Sequence, residues 1–267
     1  PGLVHPAPVT LFPRDKLFIM IALIAATEIE TARLQDALTG TATSRCGRYN
    51  LLKGRVNGQL VSLLHSGIGK VNAALATEAL LSDRKPSSVI LFGCGGAYPG
   101  RDLKIGDVAL ASGEIYGDEG VKSPSGFLDM QNLGFPLCTR DEAAYYNHLP
   151  LHQGLHDEAR ARLKAYLSPL GKNLVAGSFV TVSSCSGTDA AGRELGERTG
   201  GICESMEGAA VAQVCLQHNV PLLELRGISN LTEDRDPDKW DIPQAADIAQ
   251  QSVLELLHDW KNMEKGL

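Results

Sequence analysis

The stretch Cys203–Asn230 reads CESMEGAAVAQVCLQHNVPLLELRGISN, and it holds one helix–strand unit of an α/β fold. Its first part, Met206–His218, carries small apolar residues at helical spacing. Its second part, PLLEL, is an apolar run that suits a strand buried on both faces, and it ends in the polar tip RGISN. Open α/β sheets bind ligands at the carboxyl ends of their strands, so this tip is the first place to look for a site.

The same alternation runs outward along the chain. IMIALIAA, RYNLLKGRV, QLVSLLHS, SVILFGCGG, DVALASGEIYG and LVAGSFVTVS read as further strands. Helical patterns fall at Gly69–Leu81, Asp157–Leu167 and Ile242–Trp260. Strands alternating with helices predict an α/β fold whose central, mostly parallel sheet is covered on both faces. The turn in RVNGQL adds an antiparallel hairpin, since Asn57-Gly58 suits a type I′ turn, so the sheet is mixed. One domain is expected over 17–267, with the Pro-rich segment 1–16 as a loose extension. Lys122–Leu155 shows little periodicity, and two readings stay open for it: a lid or pocket wall, and an irregular surface excursion.

Composition excludes several classes. The chain has 267 residues with a net charge of −6, and no Lys/Arg-rich run could track a phosphate backbone, so nucleic acid is not an expected partner. The longest apolar run, LFIMIALIAA from Leu17, is too short to span a bilayer and lacks the flanks of a signal peptide. Neither a membrane partner nor export is expected, and the localisation predicted is cytoplasmic. The six cysteines are widely spaced with no C-x-x-C pair, as reduced thiols would be.

Several motifs fail on inspection. FGCGGAYPG follows a strand like a dinucleotide loop, but Tyr98-Pro99-Gly100 and a further strand come next where a helix is required. HSGIGKVN is no P-loop, because Leu64 replaces the first glycine and Val71 the magnesium-binding hydroxyl. His148, His152 and His156 are spaced for one helical face, yet Leu149-Pro150 and Gly154 are expected to interrupt that helix, so no metal site is predicted. No G-x-S-x-G elbow is present.

What survives is a set of segments that follow strands: AATEIE with Glu28 and Glu30, GCGGA, SSCSG and RGISN, with Glu207 at the start of the Ala-rich helix. A carboxylate suits the paired hydroxyls of a ribose, and a second one suits a water to be oriented and deprotonated. An amide suits a heterocycle edge, and glycines let a flat base approach the main chain. Taken singly, Glu30, Glu207 and Asn230 also fit ordinary roles as a solvated carboxylate, a helix-dipole partner and a turn residue.

SGIGKVNAALATEALL, GCGGAYPG with LKIGDVALASGEIY, and CESMEGAAVAQVCLQHNVPLLELRGISN together resemble the purine nucleoside phosphorylase/nucleosidase superfamily. They are most similar to its methylthioadenosine/adenosylhomocysteine nucleosidase branch. The amide in RGISN and the trailing EDRDPDKWDIPQAA resemble the futalosine hydrolases within it. The resemblance implies that Glu30 activates the hydrolytic water, Glu207 binds the ribose hydroxyls and Met206 packs beneath the sugar. It implies that Gly95 and Gly96 lie over the reacting centre and that Cys185 and Ser186 contact the base, where relatives carry a stacking aromatic residue that SSCSG lacks. Asn230 stands where adenine-cleaving relatives have an aspartic acid. An amide donates to N7 and to a 6-oxo oxygen, so the resemblance makes Asn230 both a catalytic and a base-binding residue for a 6-oxopurine.

Phosphorylases of this superfamily normally hold phosphate with an arginine ahead of the glycine loop, where this chain has Val89-Ile90-Leu91-Phe92. Glu28 and Glu30 add negative charge, so hydrolysis is expected over phosphorolysis. No metal or organic cofactor is expected. The resemblance further implies a small-molecule nucleoside substrate and a homodimer or larger homo-oligomer. A carboxylated 5′ group would need a cation, and His65, Arg101, Lys122 and Arg140 are the candidates.

Overall fold

Strand β1 (Met20–Ala25) is buried from both sides. Ile21 and Leu23 pack into one apolar layer, while Ala22 and Ile24 pack into the other. Both residue sets are apolar, which is why the run shows no polar alternation. The structure is a computed structural model that describes residues 20–263. The extension expected over 1–16, and the start of the first strand at Leu17, lie outside the described residues.

A 3₁₀ turn at Glu28–Glu30 leads into α1 (Ala32–Ala37), then β2 (Thr39–Cys46), β3 (Tyr49–Val56), β4 (Gln59–His65) and α2 (Lys70–Asp83). Next come β5 (Ser88–Ala97), β6 (Val108–Tyr116), β7 (Gly120–Ser123), β8 (Gly126–Asp129), α3 (Met130–Leu133), β9 (Cys138–Arg140), β10 (Ala143–Tyr145) and β11 (His148–Pro150). The chain continues through α4 (Gln153–Leu167), β12 (Leu174–Thr181), α5 (Asp189–Thr199), β13 (Cys203–Ser205) and α6 (Gly208–His218). It ends with β14 (Leu222–Leu231), α7 (Ile242–His258) and α8 (Trp260–Met263).

The sheet is mixed and half rolled up. β5 pairs β14, β14 pairs β6, β6 pairs β12, β12 pairs β13, and β13 returns to β5, closing a ring of five strands. From β5 the sheet continues through β1, β4, β3 and β2. The neighbours β4, β1, β5 and β14 are parallel and end on the same side, whereas β6, β12 and β13 are parallel to one another and meet β14 and β5 antiparallel. Helices α2 and α6 cover one face with Ala73, Ala76, Leu80, Ala209 and Val211. Helices α4 and α7 cover the other with Leu155, Leu163, Val253 and Leu256.

Several sequence expectations need correction. GCGGA and RGISN do not follow their strands but belong to them, because β5 and β14 run through them. A register shift between Ile228 and Asn230 absorbs the irregularity there. β2 was not expected, since TGTATSRC is polar and mostly exposed at the sheet edge. Asn57 and Gly58 do have positive φ, 50° and 80°, as a type I′ turn requires. α4 begins a turn earlier than expected and runs through Gly154, because the His152 ring caps it by accepting from the Leu155 N–H. His148 lies in β11, so the three histidines still do not share a helical face. The segment from Lys122 to Leu155 is not irregular; it forms two small hairpins and the antiparallel strand β11.

Candidate active site

The carboxyl ends of β1, β5, β13 and β14 surround a cavity of about 350 Å³. Glu30 enters it from the turn after β1. Its Oε2 accepts from Thr27 N and Thr27 Oγ1, both at 2.9 Å, and its Oε1 accepts from Cys94 N at 2.9 Å. The side chain is thereby locked across two strand ends. Gly93 makes this possible, since a Cβ there would collide with Glu30 Oε1.

Glu207 caps α6, and its Oε1 accepts from Gly69 N at 2.9 Å. The glycine-rich turn before α2, rejected as a phosphate loop, therefore holds a carboxylate instead. Met206, next to Glu207, lines the same cavity.

Arg226 ties these groups together. It points from β14 into the barrel and is buried. Its Nη1 donates to Glu207 Oε2 and to Cys94 O, both at 3.3 Å, and its Nε donates to Glu224 Oε1 at 3.1 Å. Burial opposes its charge, yet Glu224, Glu207 and Glu30 outweigh that and raise its pKa. A guanidinium so committed has little left for a phosphate.

One wall of the cavity is built from three strands in register. Glu204 on β13 pairs with Gly96 on β5, and Gly96 pairs with Asn230 on β14. The Asn230 amide is oriented locally: Nδ2 donates to Leu231 O at 3.0 Å, and Oδ1 accepts from Ser229 Oγ at 2.8 Å. One amide N–H remains for a ligand. Glu204 accepts from Ser186 N (2.8 Å), Ser186 Oγ (2.6 Å) and Tyr98 Oη (3.1 Å), which fixes the loop after β12.

The cavity lining thus brings together Glu30, Met206, Glu207 and Asn230 with Gly95, Gly96, Cys185 and Ser186. It also includes residues to which the sequence reading gave no role: Arg226, Glu204, Ser229, Trp240 and Ile68. Trp240 presents an aromatic ring, with the Arg235 guanidinium 4.4 Å from its centroid. Burial, reinforced by Glu30, pushes the Cys94 thiol up to about 12, and burial with Glu204 and Glu207 pushes Cys185 up to about 11, so neither is a ready nucleophile.

None of the four expected cations lines the cavity. His65 binds Thr31 Oγ1 at 2.7 Å, and burial lowers its pKa. Arg101 donates to Gly196 O, and Lys122 lies exposed on β7. Arg140 lies at a second cavity beside the far end of α6, donating to Leu216 O and Asn219 Oδ1. Among the described residues, no group of His, Cys, Asp and Glu is arranged to hold a metal ion, and no helix is long and apolar enough to cross a membrane.

The chain is 36% identical over 195 residues to the futalosine hydrolase of Thermus thermophilus, covering 73% of this chain and 80% of that one. Among solved structures it resembles the 5′-methylthioadenosine/S-adenosylhomocysteine nucleosidase of Neisseria meningitidis in complex with methylthio-immucillin-A. There the TM-score is 0.77 at 23% identity, over 90% of this chain and 99% of that one. The corresponding nucleosidase of Colwellia psychrerythraea, in complex with adenine, gives a TM-score of 0.75 at 25% identity, over 90% and 94%. The Phosphorylase superfamily matches residues 20–259, and the chain belongs to that family.

Proposed function

We propose that this chain hydrolyses the N-glycosidic bond of a 6-oxopurine nucleoside, with futalosine as its substrate and hypoxanthine and dehypoxanthine futalosine as products, a step of menaquinone biosynthesis. The observation that carries this reading is the convergence of Glu30, Glu207 and Asn230 on one cavity. The 36% identity to a futalosine hydrolase supports the choice of substrate.

Glu207 accepts from the ribose hydroxyls while Arg226 and the Gly69 N–H hold it in place. Met206 packs beneath the sugar. As the C1′–N9 bond stretches, positive charge grows on the ribose, and the two carboxylates stabilise it. Glu30, fixed by its three hydrogen bonds, takes a proton from the water that attacks C1′. The departing base spreads negative charge onto O6, where the free N–H of Asn230 meets it, and the released anion takes a proton from solvent while Glu30 returns the one it took to solvent.

The base edge fits the same reading. Residues paired across neighbouring strands share a face, so Glu204 and Asn230 flank Gly96 on one side. A carboxylate has about four acceptor positions. Glu204 uses three, leaving one for the N1–H of a 6-oxopurine. Adenine offers a lone pair at N1 and would be opposed. Trp240 supplies the aromatic surface that SSCSG lacks. Arg235 has no ion pair among the described residues, and stacked on Trp240 it suits a carboxylated 5′ group.

Phosphorolysis is disfavoured because Arg226 is committed to Glu207 and Glu224. The second copy expected in a homodimer has a surface to meet: Ile68 lines the cavity and is 57% exposed, and Val71 and Leu75 continue the apolar stripe along α2 at 73% and 50%. Light scattering tests the dimer. For the reaction, hypoxanthine release from futalosine, inosine and methylthioinosine is followed by chromatography with and without phosphate. Phosphate-independent release, fastest from futalosine, supports the proposal, and adenine-nucleoside preference overturns it.

A further inference from the structure

Beneath the site lie two carboxyl groups that the reaction does not use. Glu114 on β6 and Glu224 on β14 are 1% and 0% exposed. Their outward oxygens have donors: Glu114 Oε2 accepts from Thr181 Oγ1 at 2.8 Å, and Glu224 Oε1 accepts from Arg226. Thr181 Oγ1 is itself pinned, because it accepts from Ala209 N at 2.7 Å in the first turn of α6.

Their remaining oxygens, Glu114 Oε1 and Glu224 Oε2, have no hydrogen-bond partner. Both converge on Gly208, where a Cβ would collide with Glu114 Oε1 and lie 2.7 Å from Glu224 Oε2. Two acceptors meeting in a dry interior are tolerated only when a proton lies between them. A glycine directly after Glu207 is what leaves room for the pair.

Resting on the nucleosidase reading, we propose that Glu114 and Glu224 share one proton and act together as positioning residues that keep Arg226 turned toward Glu207. With the proton in place the pair carries one negative charge, matched by the guanidinium. Without it, a second negative charge draws Arg226 toward Glu224 and loosens Glu207. The groups facing the pair are Arg226 on its own strand, Glu207 and Cys215 from the α6 segment, Thr181 from β12, Cys203 from β13 and Tyr116 from β6. Burial first, then the Glu224 carboxyl beside it, raises the pKa of Glu114 against the pull of Thr181 and Arg226, and burial raises that of Glu224 against the pull of Arg226. The proton is therefore kept above the ordinary carboxylate range and lost as pH rises through the value of the pair. Activity should fall on the alkaline side.

Infrared spectroscopy of the intact protein at neutral pH should show the carbonyl stretch of a buried, protonated carboxylic acid, absent in E114Q. This readout needs no turnover, so it stands apart from the nucleosidase reading. Chromatographic kcat–pH profiles are the second arm. E114Q carries a permanent donor toward Glu224, so its alkaline limb should move up by about one pH unit or more, and it should outperform E114L, which has no donor. A wild type without the infrared band, or an E114Q profile with the wild-type limb, overturns the pair. A wild type that shows the band but releases no base defeats the nucleosidase reading and leaves the pair standing.

Discussion

Arg226 and Glu207 face each other at 3.3 Å with both side chains buried, and the opposite edge of the guanidinium meets Glu224 at 3.0 Å. A carboxylate that lines the cavity is thus anchored from behind by a cation on β14. Arg226→Met leaves two buried carboxylates without their partner, which costs about 3–5 kcal/mol. A lowered thermal midpoint together with lost nucleoside binding, measured by calorimetry, is the expected outcome. Unchanged stability would mean that the anchor is not needed.

Glu30→Gln separates binding from chemistry. The amide keeps one acceptor for Thr27 or Cys94 but cannot take a proton from water. Base release should fall by about 10²–10⁴-fold, the usual worth of a general base, while nucleoside affinity measured by titration stays close to wild type. Equal losses in both would assign Glu30 to binding alone.

Asn230→Asp changes the hydrogen-bonding pattern offered to the base. An acid at this position protonates N7 of adenine and accepts from its 6-amino group, whereas the amide has one free N–H to donate to the base and no proton to give up. The expected change is a relative gain for adenine nucleosides of about 1–3 kcal/mol, read from the ratio of kcat/KM values for paired adenosine and inosine substrates. A ratio that does not move would locate base selection elsewhere on the wall.

Arg235→Gln should raise KM for futalosine and leave inosine turnover as it is, because only futalosine carries the 5′ carboxylate. Steady-state kinetics with the two substrates makes the comparison. A rise for both would show that Arg235 supports Trp240 and the base loop instead.

Much of this was legible in the sequence, for identifiable reasons. β1 and β14 read as strands because both of their faces are apolar; Glu30 and Asn230 stood out because each follows such a run, and Glu207 because it opens the Ala-rich helix. Glycine misled the reading of β5, where Gly93, Gly95 and Gly96 resemble a loop but continue the strand to bring the backbone close to Glu30 and Asn230. Arg226 carried a signal that went unused: together with Glu224 it alternates along an otherwise apolar strand, so the two share one buried face. Glu204 had no comparable signal, since β13 spans three residues and cannot display a period. Trp240 lies between elements, where no pattern points to a cavity.

The central claim is that Glu30 delivers water to C1′ of a bound ribosyl 6-oxopurine. Turnover of futalosine in water enriched in heavy oxygen, with the products read by mass spectrometry, tests it most directly. One heavy oxygen on the sugar product at C1′, unlabelled hypoxanthine and no requirement for phosphate are the expected result. A sugar 1-phosphate formed only with added phosphate, or intact futalosine beside cleaved adenine nucleosides, would contradict it.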